Sequence, residues 1–309
     1  MNSFPFISVI IPNYNEIQYI ENLLLSLKNQ KYAKDLFEII VADNGSTDGS
    51  HEKAKQYADK ILANLVGTVA RIRNIGAQHA EGDLFAFIDA DCTVESDWLM
   101  NASFLYNQGY RVFGCKVDVP VDAGWIEQTW FSQRHNDDRQ VPYINSANLF
   151  IGRDAFFNIN GFRDDLVSGE DWDICDRLAK RGYSVRSNPA VKVIHMKNPK
   201  NIIAFMKREI WHGVGGFQSL KKGDLDKVTI STLIFLFFTI FQIIGLVFHK
   251  QIFILSSIIV VILVSLAGSY NAFRYKICNK LIVLIFLYYF YFLARSISML
   301  YGYKKLLFK

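Results

Sequence analysis

Apolar and polar positions follow two different rhythms along this chain. Up to about residue 195, short β-branched runs are separated by stretches of helical spacing, whereas from Val228 onward apolar residues continue for long stretches without a charge. The first rhythm predicts an α/β domain with a largely parallel sheet. Residues 7–11 and 37–42 read as its first strands. Between them Ile17, Ile20, Leu23, Leu24 and Leu27 recur at spacings of three and four, which predicts a helix with one buried face and Asn15 as its cap. Residues 84–88, 111–117 and 191–195 supply further strands, and 97–107 and 170–180 read as helices.

The second rhythm predicts membrane segments. Residues 228–248 give about 21 uncharged positions and 252–270 about 19 more, each enough to cross a hydrocarbon core of roughly 30 Å. A third run, 281–294, is only about 14 residues long before Arg295 interrupts it. Lys250 lies in the outer turn, and Arg274, Lys276 and Lys280 return to the inside, as the positive-inside rule wants. A third full span puts Lys304, Lys305 and Lys309 outside, against that rule. Residues 281–303 are therefore expected in the interface or re-entering, with Tyr288, Tyr289, Tyr291, Tyr301 and Tyr303 near the headgroups.

Residues 198–227 form a connector in which Ile202, Ile203, Phe205, Met206, Ile210, Trp211, Val214 and Phe217 oppose Lys207, Arg208 and Glu209. Such a face either lies on the membrane surface or packs on the α/β domain. Gly213, Gly215 and Gly216 argue against a continuous helix there. The expected division is an α/β domain over 1–197, the amphipathic connector over 198–227 and a membrane domain over 228–309.

The net charge of +5 is modest, and Lys197, Lys200, Lys207, Arg208, Lys221, Lys222 and Lys227 cluster toward the membrane segments. That placement suits anionic lipid headgroups and argues against nucleic acid. Cys92, Cys115, Cys175 and Cys278 have no C-x-x-C spacing, which argues against a zinc site or disulfide framework and fits a reducing compartment. No signal-type stretch precedes the first strand, so the α/β domain is expected on the cytoplasmic side of a cytoplasmic (inner) membrane crossed more than once.

The chemistry concentrates after Leu84-Phe85-Ala86-Phe87-Ile88, a buried-strand run that delivers Asp89 and Asp91 at its carboxyl end. Paired carboxylates repel unless a cation joins them, and hard oxygen ligands suit Mg²⁺ or Mn²⁺ carrying a nucleotide diphosphate. An ordinary Asp-Ala-Asp turn is the alternative. The first two strands end in Pro12-Asn13-Tyr14-Asn15-Glu16 and in Asp43-Asn44-Gly45-Ser46-Thr47-Asp48, at the same edge. There Tyr14 can stack on a base and Asp43 can accept from an imide N–H. Arg73 precedes the aspartates and can reach a base carbonyl or a phosphate. Glu170 and Asp171 open a helix, where a carboxylate stays ionised and is either simple capping or a general base. Neither a G-x-G-x-x-G nor a P-loop pattern occurs.

Taken together, Ser8 to Glu16, Asp43 to Asp48, Arg73-Asn74-Ile75-Gly76, Asp89-Ala90-Asp91, Gly161-Phe162 and Gly169-Glu170-Asp171 resemble, in family order, glycosyltransferase family 2, the inverting enzymes with the GT-A fold. The resemblance covers roughly residues 7–216. It implies that Pro12, Tyr14, Glu16, Asp43 and Arg73 surround the nucleotide, that Asp89 sits near the ribose and donor sugar, and that Asp91 binds Mn²⁺ or Mg²⁺. It further implies Asp171 as the base with Glu170 orienting a substrate, His195 as a candidate to complete the metal shell, and Asn145, Asn148 and Trp172 on the acceptor side. The processive Q-x-x-R-W motif is not reproduced at Arg208-Glu209-Ile210-Trp211. The expected activity is transfer of a sugar from a UDP-linked donor to a hydroxyl of a lipid-linked saccharide in envelope or exopolysaccharide synthesis. The alternatives are transfer to a polyprenyl phosphate, or a non-catalytic nucleotide-sugar-binding scaffold.

Overall fold

The computed structural model describes residues 4–131, 137–221 and 227–307. The chain divides into two compact units, Met1–Val121 with Asn136–Asn198, and Asp122–His135 with Pro199–Lys309.

The first unit is built on strands β1 (Ile7–Asn13), β2 (Phe37–Asp43), β3 (Lys60–Leu62), β4 (Leu84–Ile88), β5 (Cys92–Val94), β6 (Val112–Gly114), β7 (Arg139–Gln140), β8 (Asn148–Gly152), β9 (Val185–Ser187) and β10 (Val193–His195). Eight form one sheet in the order β3-β2-β1-β4-β8-β6-β9-β7, and β10 pairs with β5 in a second. The pairs β1–β2, β1–β4 and β2–β3 are parallel, while β8 runs antiparallel between β4 and β6. Helices α1 (Ile20–Lys28), α2 (Ser50–Ala54), α3 (Val69–Gln78), α4 (Trp98–Asn107), α5 (Arg153–Asn158) and α6 (Glu170–Lys180) complete the unit. β1, β2 and β4 are apolar on nearly every position because both faces are covered. On one face Leu23, Leu27, Trp98 and Leu105 meet Val9, Ile39 and Phe150. On the other, Ala70, Phe156, Ile174 and Leu178 meet Ile10, Phe85 and Phe87.

The expected cap at Asn15 is not used: α1 begins at Ile20, and Asn15 sits in the left-handed region at φ 56 with its Oδ1 accepting from the Thr47 N–H. An Asn tolerates that backbone and spends its side chain on the neighbouring loop instead.

The second unit contains a short helical segment, Glu127–Phe131, and helices α7 (Ile202–Lys221), α8 (Lys227–Phe248), α9 (Lys250–Arg274) and α10 (Leu281–Leu307). Residues 227–248, 250–274 and 278–300 are each long and apolar enough to cross a membrane. α7 is continuous through Gly213, Gly215 and Gly216. Gly213 has a packing reason, since a Cβ there meets Ser298 at 2.6 Å and only a glycine lets α7 and α10 approach so closely. Within the second unit this connector packs on α10, with Phe205 against Leu287 and Ile126.

Arg295, where the third uncharged run ends, lies inside α10. Arg295 Nη2 donates to Glu209 Oε2 at 2.9 Å, so α7 supplies the counter-charge and the helix runs on unbroken. The side chains of Val214, Phe217, Tyr301 and Tyr303, together with Lys222 and Lys309, lie outside the described residues.

Candidate active site

Asn13 and Asp43 are register partners at the ends of β1 and β2, so parallel pairing brings the two loops that follow to one edge of the sheet. The loops are stapled together. Asn13 Nδ2 donates to Asp43 Oδ1 at 2.7 Å and to Ser50 Oγ, and Ser46 donates to Asp43 through its hydroxyl and its N–H. Asp43 is buried with most of its acceptor capacity committed to this staple. Tyr14, 58% exposed, leaves its ring face open beside it. Pro12 holds the last paired turn of β1 against Ala42.

β4 ends one residue before Asp89, at the same edge. Here Arg73 has two carboxylate partners that its place in the motif did not announce. Its guanidinium, 3% exposed, does not point at open space: Nη2 reaches Asp89 Oδ1 at 2.6 Å and Nη1 reaches Glu170 Oε1 at 2.9 Å. The two carboxylates hold its pKa above the usual range despite burial. Phe162 lies beneath the guanidinium at 5.7 Å and packs edge-on against Phe87 of β4. Gly161, at φ 65, makes that turn possible, because a Cβ there meets Asn74 Oδ1 at 2.6 Å. The family's Gly-Phe pair thus supports an ion-pair bridge from the aspartate turn to the head of α6.

Asp171 follows Glu170 in the first turn of α6. Burial, and then the neighbouring Glu170 carboxylate, push its pKa up to about 6. Burial therefore outweighs the helix terminus that was expected to keep it low. It is still largely ionised at pH 7 and binds a proton far better than an ordinary aspartate. Gly169 occupies the cap position at φ 83 without a side-chain cap, so neither acid serves as the N-cap.

Asp91 lies across from β10. Its Oδ1 is 3.4 Å from His195 Nε2, and its carbonyl accepts from the Met196 N–H at 2.8 Å. Asp91, Cys92 and His195 offer ligand atoms within 4.8 Å of one another. An oxygen and an imidazole nitrogen so close suit a divalent cation. Burial, aided by the aspartate charges, pushes the Cys92 thiol well above its ordinary range, so oxygen and nitrogen are the fitting donors.

Of the residues expected on the acceptor side, Asn148 belongs elsewhere. It has no exposed surface; its Oδ1 accepts from Trp98 Nε1, and its Nδ2 donates to the carbonyls of Cys115 and Val191. A fully satisfied buried amide holds the core together and is closed to a sugar. Asn145 is exposed and caps the Ala147 N–H, and Trp172 is 55% exposed on α6. Sequence reasoning missed Lys197, whose Nζ is 2.6 Å from Glu16 Oε1 across 181 residues.

The family described as "Glycosyl transferase family 2" matches residues 8–163. The chain is 30% identical over 230 residues to glycosyltransferase AglE of Haloferax volcanii, covering 70% of this chain and 75% of that one. It is 25% identical to a dolichyl N-acetyl-α-D-glucosaminyl phosphate 3-β-D-2,3-diacetamido-2,3-dideoxy-β-D-glucuronosyltransferase of Methanococcus voltae, over 75% of this chain and 79% of that one. Among solved structures, the mannosyltransferase PcManGT of Pyrobaculum calidifontis, in complex with GDP-Man and Mn²⁺, superposes over 96% of this chain and 88% of its own with a TM-score of 0.62 at 18% identity. The architecture is the GT-A fold followed by apolar helices. With the family's motifs gathered at one sheet edge and a family match over half the chain, this protein belongs to glycosyl transferase family 2.

Proposed function

We propose that this glycosyltransferase moves a sugar, with inversion, from a UDP-linked donor to a hydroxyl of a lipid-linked saccharide during envelope or exopolysaccharide assembly. Its α/β domain, residues 1–197, faces the cytoplasm, and the helices of 228–309 anchor it in the inner membrane through the connector 198–227. The observation that carries this reading is the bridge Asp89–Arg73–Glu170, which ties the aspartate turn to the residue before Asp171, whose own pKa is raised to about 6. The Methanococcus relative, named for a dolichyl N-acetyl-α-D-glucosaminyl phosphate substrate, supports the acceptor class.

In this scheme Tyr14 stacks on the base, with Pro12 shaping the floor and Asp43 offering its remaining acceptor position. Asp91 and His195 hold Mn²⁺ or Mg²⁺, which when bound supplies Lewis-acid stabilisation to the departing diphosphate. Arg73 fixes Asp89 toward the donor sugar and keeps Glu170 in line. Asp171 takes the proton of the acceptor hydroxyl as its oxygen bonds to the anomeric carbon and the bond to phosphate breaks. Asn145 and Trp172 lie where an acceptor sugar can meet an amide and an aromatic face.

The test is nucleotide release by the purified full-length protein with UDP-, GDP- and dTDP-sugars and Mn²⁺, with lipid-linked saccharide or undecaprenyl phosphate as acceptor. Release with a UDP-sugar that depends on the saccharide and stops with a chelator is expected. Transfer to undecaprenyl phosphate alone overturns the hydroxyl-acceptor reading.

A further inference from the structure

The donor edge carries an ion pair that none of the steps above uses. Glu16 follows β1 and its position is fixed: Asn15 N–H donates to Ser46 Oγ, Ile17 N–H donates to Asp48, and the Glu16 carbonyl opens the turn into α1. Lys197 is fixed from the opposite side. It follows His195 by two residues, the Met196 N–H donates to the Asp91 carbonyl, and Asn198 Nδ2 donates to the His195 carbonyl. Between these two anchored backbones, Lys197 Nζ meets Glu16 Oε1 at 2.6 Å.

The partners are unequal. The Glu16 side chain is 16% exposed, and its Oε2 is buried without a hydrogen-bond partner. The Lys197 side chain is 50% exposed and hangs on four rotatable bonds. The Glu16 carboxylate also feels the charges of Asp89 and Asp91, which places the pair at the mouth of the aspartate turn. At that mouth Arg73 has both terminal nitrogens on carboxylates. A diphosphate brings more negative charge than one divalent cation offsets alongside Asp89 and Asp91. Lys197, half-exposed, is a cation able to turn toward it.

We infer that Lys197 is the diphosphate-binding cation of the donor site, held ready by Glu16 and passed to the diphosphate when a nucleotide arrives. The inference rests on the proposed function. It assigns to one lysine the discrimination between a nucleoside diphosphate and a nucleoside monophosphate, which shares the base and ribose contacts. Glu16 then acts as a placeholder, since an ammonium group left without a carboxylate samples many rotamers and loses more entropy on binding.

The experiment is calorimetric titration of the full-length protein in detergent with UDP and UMP at saturating Mn²⁺, comparing wild type, Lys197→Met and Lys197→Arg. The expected result is an affinity for UDP about 10- to 100-fold weaker in Lys197→Met, UMP affinity changed less than about 2-fold, and UDP binding largely restored in Lys197→Arg. Equal losses for UDP and UMP mean that the pair only fastens the two loops, which overturns this assignment and leaves the proposed function standing. A wild-type protein that binds neither nucleotide overturns both.

Discussion

Arg73 and Arg295 are both withdrawn from solvent and both bonded to carboxylates, yet their settings differ. Arg73 joins two loops and the head of a helix in the α/β unit and is shared between Asp89 and Glu170. Arg295 joins two helices of the apolar unit and has Glu209, 2.9 Å away. One cation against two anions leaves a negative bias, suited to a place where a cation binds. In the apolar unit a single carboxylate is held by Arg295 and also feels the charge of Arg208, so no anion is left in excess. The first pair is expected to be retained for what it positions, and the second because either partner alone is costly.

The largest effect should come from Arg73→Met. Asp89 and Glu170 then face each other unscreened, and turnover is expected to fall by about 10³- to 10⁴-fold. Arg73→Lys should recover little of it, because an ammonium cannot span both carboxylates. Near-wild-type turnover in either variant removes the functional half of the contrast.

Asp171→Asn comes next, with turnover expected to drop by about two to four orders of magnitude while UDP binding by calorimetry stays close to wild type. In the wild type, kcat/KM should fall as pH drops through about 6, and that limb should vanish in the variant. Stability changes in the opposite direction. A carboxyl whose folded pKa is raised contributes fully below its ordinary value of 3.8 and loses that contribution as pH rises through about 6. The Asn variant should therefore melt a few degrees higher than wild type at pH 7 and show no such gain near pH 4. A Tm that falls at pH 7 would assign Asp171 to helix stability.

Arg295→Met leaves Glu209 buried and unpaired and should destabilise the apolar unit by about 3–5 kcal/mol, seen as loss of the folded species in detergent. The smallest effect sharpens the comparison most. Arg295→Met combined with Glu209→Gln should return stability to within about 1 kcal/mol of wild type, whereas no partner change should rescue turnover in Arg73→Met.

Much of this was legible in the sequence, for reasons that differ by residue. β4 and the aspartates after it could be read because five consecutive apolar residues have few other uses. Asn148 was misread because a polar residue in a strand looks the same whether it faces a pocket or a core; what decides is Trp98, 50 residues earlier, whose indole N–H it accepts. The two ion pairs of Arg73 could not be read from the motif, since its carboxylates are 16 and 97 residues away. The third uncharged run was counted only to residue 294 because Arg295 was weighed alone. Charge rules along one segment do not see a counter-charge 86 residues upstream.

The segment beginning at Asp122 has a consequence for how the protein is made. It leaves the α/β unit after Val121, and its Trp130 packs on Phe205, Tyr288 and Tyr291 of the helical unit. A ribosome emits Trp130 roughly 160 residues before the tyrosines that cover it, an interval of about 8–30 s at ordinary elongation rates. The chain therefore spends that time with an aromatic segment lacking its final partners while the strands on either side can already pair. Packing of the last helix, rather than completion of the sheet, is then the step that covers Trp130.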